Sequence, residues 1–303
     1  MPMAGRPRRL GIVGVVALAA GLSGCALAGL LPSKDDSARL HQQAQAALAR
    51  WAAAVAAAGG QSAFVPVGDL TAQVGDWEEA VGDNNKPALM AGLVETAVSL
   101  SAKAPPDGAV RWQDGRTETV RLISAQQALS GLKADATGSS CPGCVPLQIT
   151  GARLTSGPVE TSRGPAEAPV WEFSVQGTTV QLTRVAIAAR VTVVPPPWDS
   201  SDPPIGISID SASGTVGGRQ LTVGFTGAPA PGDQGCGADY SAEAVESPTA
   251  VVVIVTEHPN SGFGACTAVG APRTAEVELS APLGERAVLE VKEGLPVAVV
   301  LTR

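Results

Sequence analysis

Aromatic side chains make up only 3% of the chain, with four Phe and one Tyr, so its cores cannot be built on stacked rings. Its 45% hydrophobic content must come from Val, Ile, Leu and Ala, which suit twisted sheets and close-packed helix faces. Histidine is nearly missing. His41 and His258 are the only two, neither in a cluster with metal-ligand spacing, so no metal and no cofactor is expected. No Gly-x-Ser-x-Gly elbow, Gly-Lys-Ser/Thr phosphate loop or Gly-x-Gly-x-x-Gly turn occurs, which removes the usual marks of nucleophilic hydrolysis and nucleotide binding. Basic runs are missing too. The formal charge is −7 and becomes −10 without Arg6, Arg8 and Arg9, so the chain repels phosphate backbones and nucleic acid is no expected partner.

Those three arginines stand, with no acid, in Met1 to Leu10, ahead of the uncharged stretch Gly11 to Leu22. A stretch of about 12 residues matches the apolar region of a signal peptide and falls short of the roughly 20 a spanning helix needs. It ends in Leu22-Ser23-Gly24-Cys25. This resembles the lipobox of bacterial lipoproteins, which implies cleavage before Cys25 and a diacylglyceryl group on its sulfur. The resemblance implies an extracytoplasmic protein held at the cell membrane by the acyl chains of Cys25. The competing reading is an uncleaved anchor, because Ala26-Leu27-Ala28-Gly29-Leu30-Leu31 extends the apolar run to roughly 22 residues.

At 303 residues there is room for two domains with separate cores. Residues 1–24 read as signal peptide and 25–35 as a lipidated tether. Ser33-Lys34-Asp35-Asp36 reads as a capping box. Leu40, Ala44, Leu48, Trp51 and Val55 then mark one apolar face of a helix over about 36–58, expected to pack on a sheet of its own domain. Ala63 to Val67 looks like a strand, Gly82-Asp83-Asn84-Asn85 is rich in turn residues, and Leu89 to Leu100 is ambiguous. Val110 and Trp112, the turn Asp114-Gly115, and Val120 with Leu122 read as a hairpin. Ser124 with Gln127 caps a short helix, and further strands follow to Leu182, giving an α+β domain over 36–194. The Pro-rich run 195–204 is a stiff linker. Seven short alternating or apolar runs in 205–303 predict an all-β, immunoglobulin-like sandwich lying away from the membrane, with Val251 to Val255 as a central strand.

Setting Cys25 aside leaves four cysteines, an even number that suits two disulfides in an oxidising compartment. Pro142-Gly143 makes a type II turn that pairs Cys141 with Cys144, leaving Cys236 for Cys266. A redox-active Cys141/Cys144 pair would need a following helix to activate its thiolate, and strand-like Leu147-Gln148-Ile149 follows instead. Ser130-Gly131-Leu132-Lys133 matches the Ser-x-x-Lys of penicillin-recognising enzymes but sits late in a short helix without its companion motifs. Asp83-Asn84-Asn85 starts like a calcium loop but has Ala88 and Val94 at the sixth and twelfth positions. Glu78 and Glu79, beside Trp77, point different ways and cannot form an acid/base pair by themselves. Asp199 and Asp202 read as a solvated linker rather than a cation site.

The stretches Cys236 to Tyr240, Gly264 to Gly270 and Pro282 to Arg286 resemble segments of uncharacterised actinobacterial lipoproteins and secreted proteins, a resemblance that carries no activity. The expected function is therefore a non-enzymatic envelope module that binds a protein, glycan or small ligand. The competing classes are a lipid or small-solute carrier and an enzyme, redox at Cys141/Cys144 or hydrolytic, with no local motif.

Overall fold

The computed structural model describes residues 34–60, 64–136, 138–260, 266 and 268–302. The expected signal peptide over 1–24, Cys25 and Ser33 lie outside them. Among the described residues, three helices and fourteen strands make a mostly β fold.

Helix α1, Lys34–Ala57, buries the stripe read from the sequence, with Trp51 only 2% exposed. It stops at Gly59 and Gly60, whose φ of 97° and 116° only glycine adopts readily.

The first sheet contains β1 (Thr71–Val74), β2 (Val94–Thr96), β3 (Gly108–Trp112), β4 (Thr117–Val120), β5 (Leu147–Val159), β6 (Ala166–Val175) and β7 (Gln181–Val185). All its pairs are antiparallel except β2 with β5. Helices α2 (Glu79–Met90) and α3 (Ala125–Ala134) add Ala88, Ala128, Leu129 and Leu132 to its core, around Ile149, Phe173 and Leu182.

Two expectations fail in this unit. The turn-rich Gly82-Asp83-Asn84-Asn85 lies inside α2. Asn84 explains why: its Nδ2 donates to Val145 O (3.1 Å) and its Oδ1 accepts from Val145 N–H (2.8 Å), a tertiary tie that local turn preference cannot register. The strand expected over Ala63 to Val67 is reduced to isolated bridges at Phe64 and Pro66, since Pro66 has no N–H for a ladder.

Glu78, just before α2, fastens the β6–β7 turn by accepting from the Thr178 hydroxyl, the Thr179 N–H (2.9 Å) and the Thr179 hydroxyl (2.8 Å). These donors, Thr178 first, hold its pKa down at about 2. A carboxylate with a lowered folded pKa contributes its full stabilisation above its unfolded value and loses it as pH falls through the folded one. The Thr178 and Thr179 amide resonances are therefore expected to move as pH falls from about 4.5 toward about 2. A midpoint near that of a free glutamate would contradict the bonding.

The α3 capping box forms as read, with Ser124 Oγ accepting from Gln127 N–H (3.2 Å) and Gln127 Oε1 from Ser124 N–H (3.0 Å). Against this helix lies Arg184 of β7, 3% exposed, paired with Asp135 and donating to Thr71 Oγ1 (2.8 Å). Its guanidinium occupies the space above Gly131, where a Cβ would stand 2.5 Å from Arg184 Nε. Alanine for a helical glycine normally stabilises by about 1 kcal/mol. Here Gly131→Ala is expected to destabilise by about 1–3 kcal/mol, because it displaces a buried, paired cation. A raised Tm in thermal unfolding would contradict this packing.

The second unit stacks a sheet of β10 (Ala238–Glu246), β11 (Ala250–Pro259) and β13 (Ala287–Glu290) on one of β12 (Ala271–Glu278), β9 (Gln220–Gly227), β8 (Ile209–Thr215) and β14 (Ala298–Thr302). Val251, Val253 and Val255 face Leu221, Val223, Phe225, Val277 and Val299 in the core between the sheets. Strand β11 is central, as its apolar run predicts. Its other face, Ala250, Val252 and Ile254, is covered by α1.

That packing corrects the expected place of the first helix, which lies on the β10–β11–β13 sheet and not on the sheet of residues 71–185. Polar ties fix it there. Gln43 Nε2 donates to Ile205 O (3.0 Å) and Val291 O (2.9 Å), and Arg50 Nη2 donates to Glu293 O (3.1 Å). An amphipathic stripe states that a partner is needed without stating which sheet supplies it.

The Pro-rich segment has no regular structure and is exposed over 194–202. It starts near the C-terminal end of α1, where Arg190 and Thr192 border a cleft with Ala54, Ala57 and Ala58. It ends on Arg39, near the helix start, which pairs with Asp202 and donates to Pro203 O (2.6 Å). About nine residues at ~3.1 Å each match the roughly 27 Å of helix between those points.

Candidate functional site

A cleft of about 470 Å³ lies between the two units. One wall is the tip of the β3–β4 hairpin, Trp112 to Arg116, with the turn Ser162 to Pro165. The facing wall is the β8–β9 turn at Val216 and Gly217, the β12–β13 connection at Leu283 to Arg286, and β14. The hairpin is the one read from Asp114-Gly115, and Gly115 at φ 90° makes the tight turn possible.

Each wall is braced from behind. Trp112 Nε1 donates to Thr161 Oγ1 (3.0 Å), and that hydroxyl donates to Gly164 O (2.7 Å), which welds the hairpin to the adjacent turn. The Arg116 guanidinium lies over the Trp112 ring at 5.5 Å from its centroid and pairs with Asp114 (2.6 Å). Arg286 wraps its own loop, donating to Ala281 O (2.8 Å), Pro282 O (3.0 Å) and Leu283 O (3.1 Å), and pairs with Glu246. Burial raises the Glu246 pKa, but the Ser280 N–H and the Arg286 cation outweigh it and hold the carboxyl below its ordinary value. Arg163 reaches across the cleft to Glu285.

The result is a preformed groove with an apolar floor, including Pro165, Leu283 and Val299, and a rim of three guanidiniums and two carboxylates. Val216 (65% exposed) and Val300 (51%) offer apolar surface at its mouth. Such a groove fits one small ligand with an apolar body and a polar end. Sequence reasoning found its hairpin but not the groove, because the other wall comes from two connections and a strand that are separated in sequence and carry no common motif.

The residues singled out from the sequence scatter. Cys141–Cys144 and Cys236–Cys266 are bonded, each with Cα atoms 5.6 Å apart, and strand β5 follows the first pair as expected. Cys25 lies outside the described residues. Ser130 donates to Gln126 O (3.0 Å) within its own helix. Asp199 accepts from Ser201 N–H (2.8 Å) and hydroxyl (2.7 Å), while Asp202 serves Arg39. His41 bonds Ser37 O (2.9 Å) and stands 3.6 Å from Glu243. No group of three or more metal-ligating side chains occurs among the described residues.

One pairing was not legible in the sequence. Ser241 Oγ lies 2.8 Å from His258 Nε2, across the β10–β11 ladder where Asp239 stands opposite His258. The pair sits on an exposed strand surface, and Asp239 Oδ1 is engaged by Gly232 N–H (3.0 Å). A hydroxyl and an imidazole at that distance can exchange a proton, but the cleft lies elsewhere. No protein family, curated protein or solved structure matches the chain.

Proposed function

We propose that the chain is a lipid-anchored, extracytoplasmic binding protein that takes a small amphipathic ligand in the cleft between its two units. The cleft carries this reading: its volume falls in the range of small-molecule sites, and it combines an apolar floor with fixed polar groups at the rim. The Arg-rich leader and the lipobox at Cys25 support the address, and two disulfides suit an oxidising compartment. No helix among the described residues is long and apolar enough to cross a membrane. An immunoglobulin-like form of the second unit belongs to the same proposal. Sheets of four and three strands favour it, while the parallel pairs β11–β13 and β8–β14 depart from an antiparallel sandwich.

Anilinonaphthalene sulfonate, apolar with one anionic group, is a suitable probe. Wild-type protein is expected to bind it, and Val216→Asp with Val300→Asp is expected to weaken binding at least ~10-fold, or about 1.4 kcal/mol. Both valines are exposed, so the fold tolerates the change. Equal binding by the variant would exclude the cleft.

A second reading, hydrolysis at Ser241, rests on the 2.8 Å contact with His258. A fluorophosphonate should then label Ser241 in wild type and fail in His258→Ala. Absence of wild-type labelling would dismiss it.

A further inference from the structure

Val194 and Trp198 are 73% and 74% exposed, and Pro195, Pro196 and Pro197 between them are exposed as well. The prolines suit a stiff linker, but the exposed valine and tryptophan that flank them have no evident use there, where polar residues would serve. The three other tryptophans whose burial is extensive, Trp51, Trp112 and Trp171, are 2%, 8% and 9% exposed.

The position of this segment is fixed at its far end. The turn Asp199 to Asp202 is closed by Asp202 N–H donating to Asp199 O (3.2 Å), and Asp202 is held by Arg39, in the second turn of α1. Four residues at ~3.1 Å each therefore place Trp198 within about 12 Å of the end of the molecule where α1 begins. Lys34 opens that helix and is separated from Cys25 by residues 26–33, which can span at most ~30 Å. Acyl chains on Cys25 would therefore keep this end within tether length of a bilayer. Tryptophan favours the membrane–water interface, its ring apolar and its N–H still able to meet a headgroup.

We propose that residues 194–198 form a second membrane contact, lodged in the interface of the bilayer that holds Cys25; this rests on the lipid-anchor reading above. The contact is apolar and not electrostatic. Its nearest fixed charges are Asp199, held anionic by Ser201, and Asp202, matched by Arg39. The two or three acyl chains of Cys25 would hold the protein stably but leave it free to swivel, and a second apolar contact turns that tether into an oriented one. Because the segment runs back from Asp202 alongside α1, the orientation lays α1 and the second unit that carries it along the bilayer. That differs from the membrane-distal place expected for the second unit from chain order alone.

The test uses the lipidated full chain in phosphatidylcholine vesicles brominated near the headgroup end of the acyl chains. Bromine is expected to quench the emission of one tryptophan and acrylamide to lose access to it, with neither effect in Trp198→Ala. Both proteins should float with the vesicles, and high salt should leave the quenching unchanged. A floating protein whose Trp198 stays open to acrylamide and unquenched by bromine overturns the contact alone. Loss of the quenching in salt overturns its apolar nature. A wild-type chain that does not float overturns the anchor reading and this contact with it. Protection of Trp198 that appears only when a second protein is added assigns the segment to that protein and overturns the membrane contact.

Discussion

Replacing Trp51 by alanine is expected to cost the second unit about 3–5 kcal/mol while leaving the first sheet intact. The ring is 2% exposed, and its helix packs on Val252, Ile254 and Leu289. Removing it opens a cavity against the outer face of β11, a strand whose side chains over 250–255 are all buried because a helix covers one side and a sheet the other. In hydrogen exchange, amides of β11 and β13 should lose protection and those of β6 and β7 should keep it. The opposite pattern would return α1 to the first unit. Although residues 34–57 precede the first sheet in the chain, their stability should be shared with residues 205–302.

Loss of the Cys236–Cys266 bridge is the second large effect. With a sequence separation of 30, the bond restricts a long loop in the unfolded chain, worth about 3–4 kcal/mol in the chain-entropy view. Cys236→Ala with Cys266→Ala should lower stability by that amount. Breaking Cys141–Cys144, separated by 3, should cost no more than about 2 kcal/mol. Cys236 adds a backbone component: its φ of 62° lies in the left-handed region. Cys236→Gly in place of Cys236→Ala should therefore recover about 1 kcal/mol of the loss. Chemical denaturation of the paired variants checks both figures. Equal losses from the two bridges would contradict the loop-length argument.

Much of the fold was legible because its signals are local. The Leu40 to Val55 stripe, the Ser124–Gln127 box, the Asp114-Gly115 turn and the six strand runs from Leu221 to Leu301 each carry their structure within a few residues, whereas the run Ile205 to Ile209 forms only an isolated bridge at Ile207 before β8 begins. The strand over 63–67 is cut short locally by Pro66, but the other failures share one cause, that the decisive partner lies far off in sequence. Asn84 is helical where its tie to Val145 helps decide, and α1 chooses a sheet some 200 residues away. The same limit hid the site. Arg163 and Glu285 meet across the cleft, and Ser241 meets His258, through pairings that no spacing announces.

The proposal of an anchored binding module depends first on what happens at Cys25. Intact-mass measurement of the protein extracted from native membranes should give a chain that starts at Cys25 and carries a diacylglyceryl group, with or without an amide-linked acyl chain. A mass that includes residues 1–24, or a Cys25 free of lipid, would contradict it.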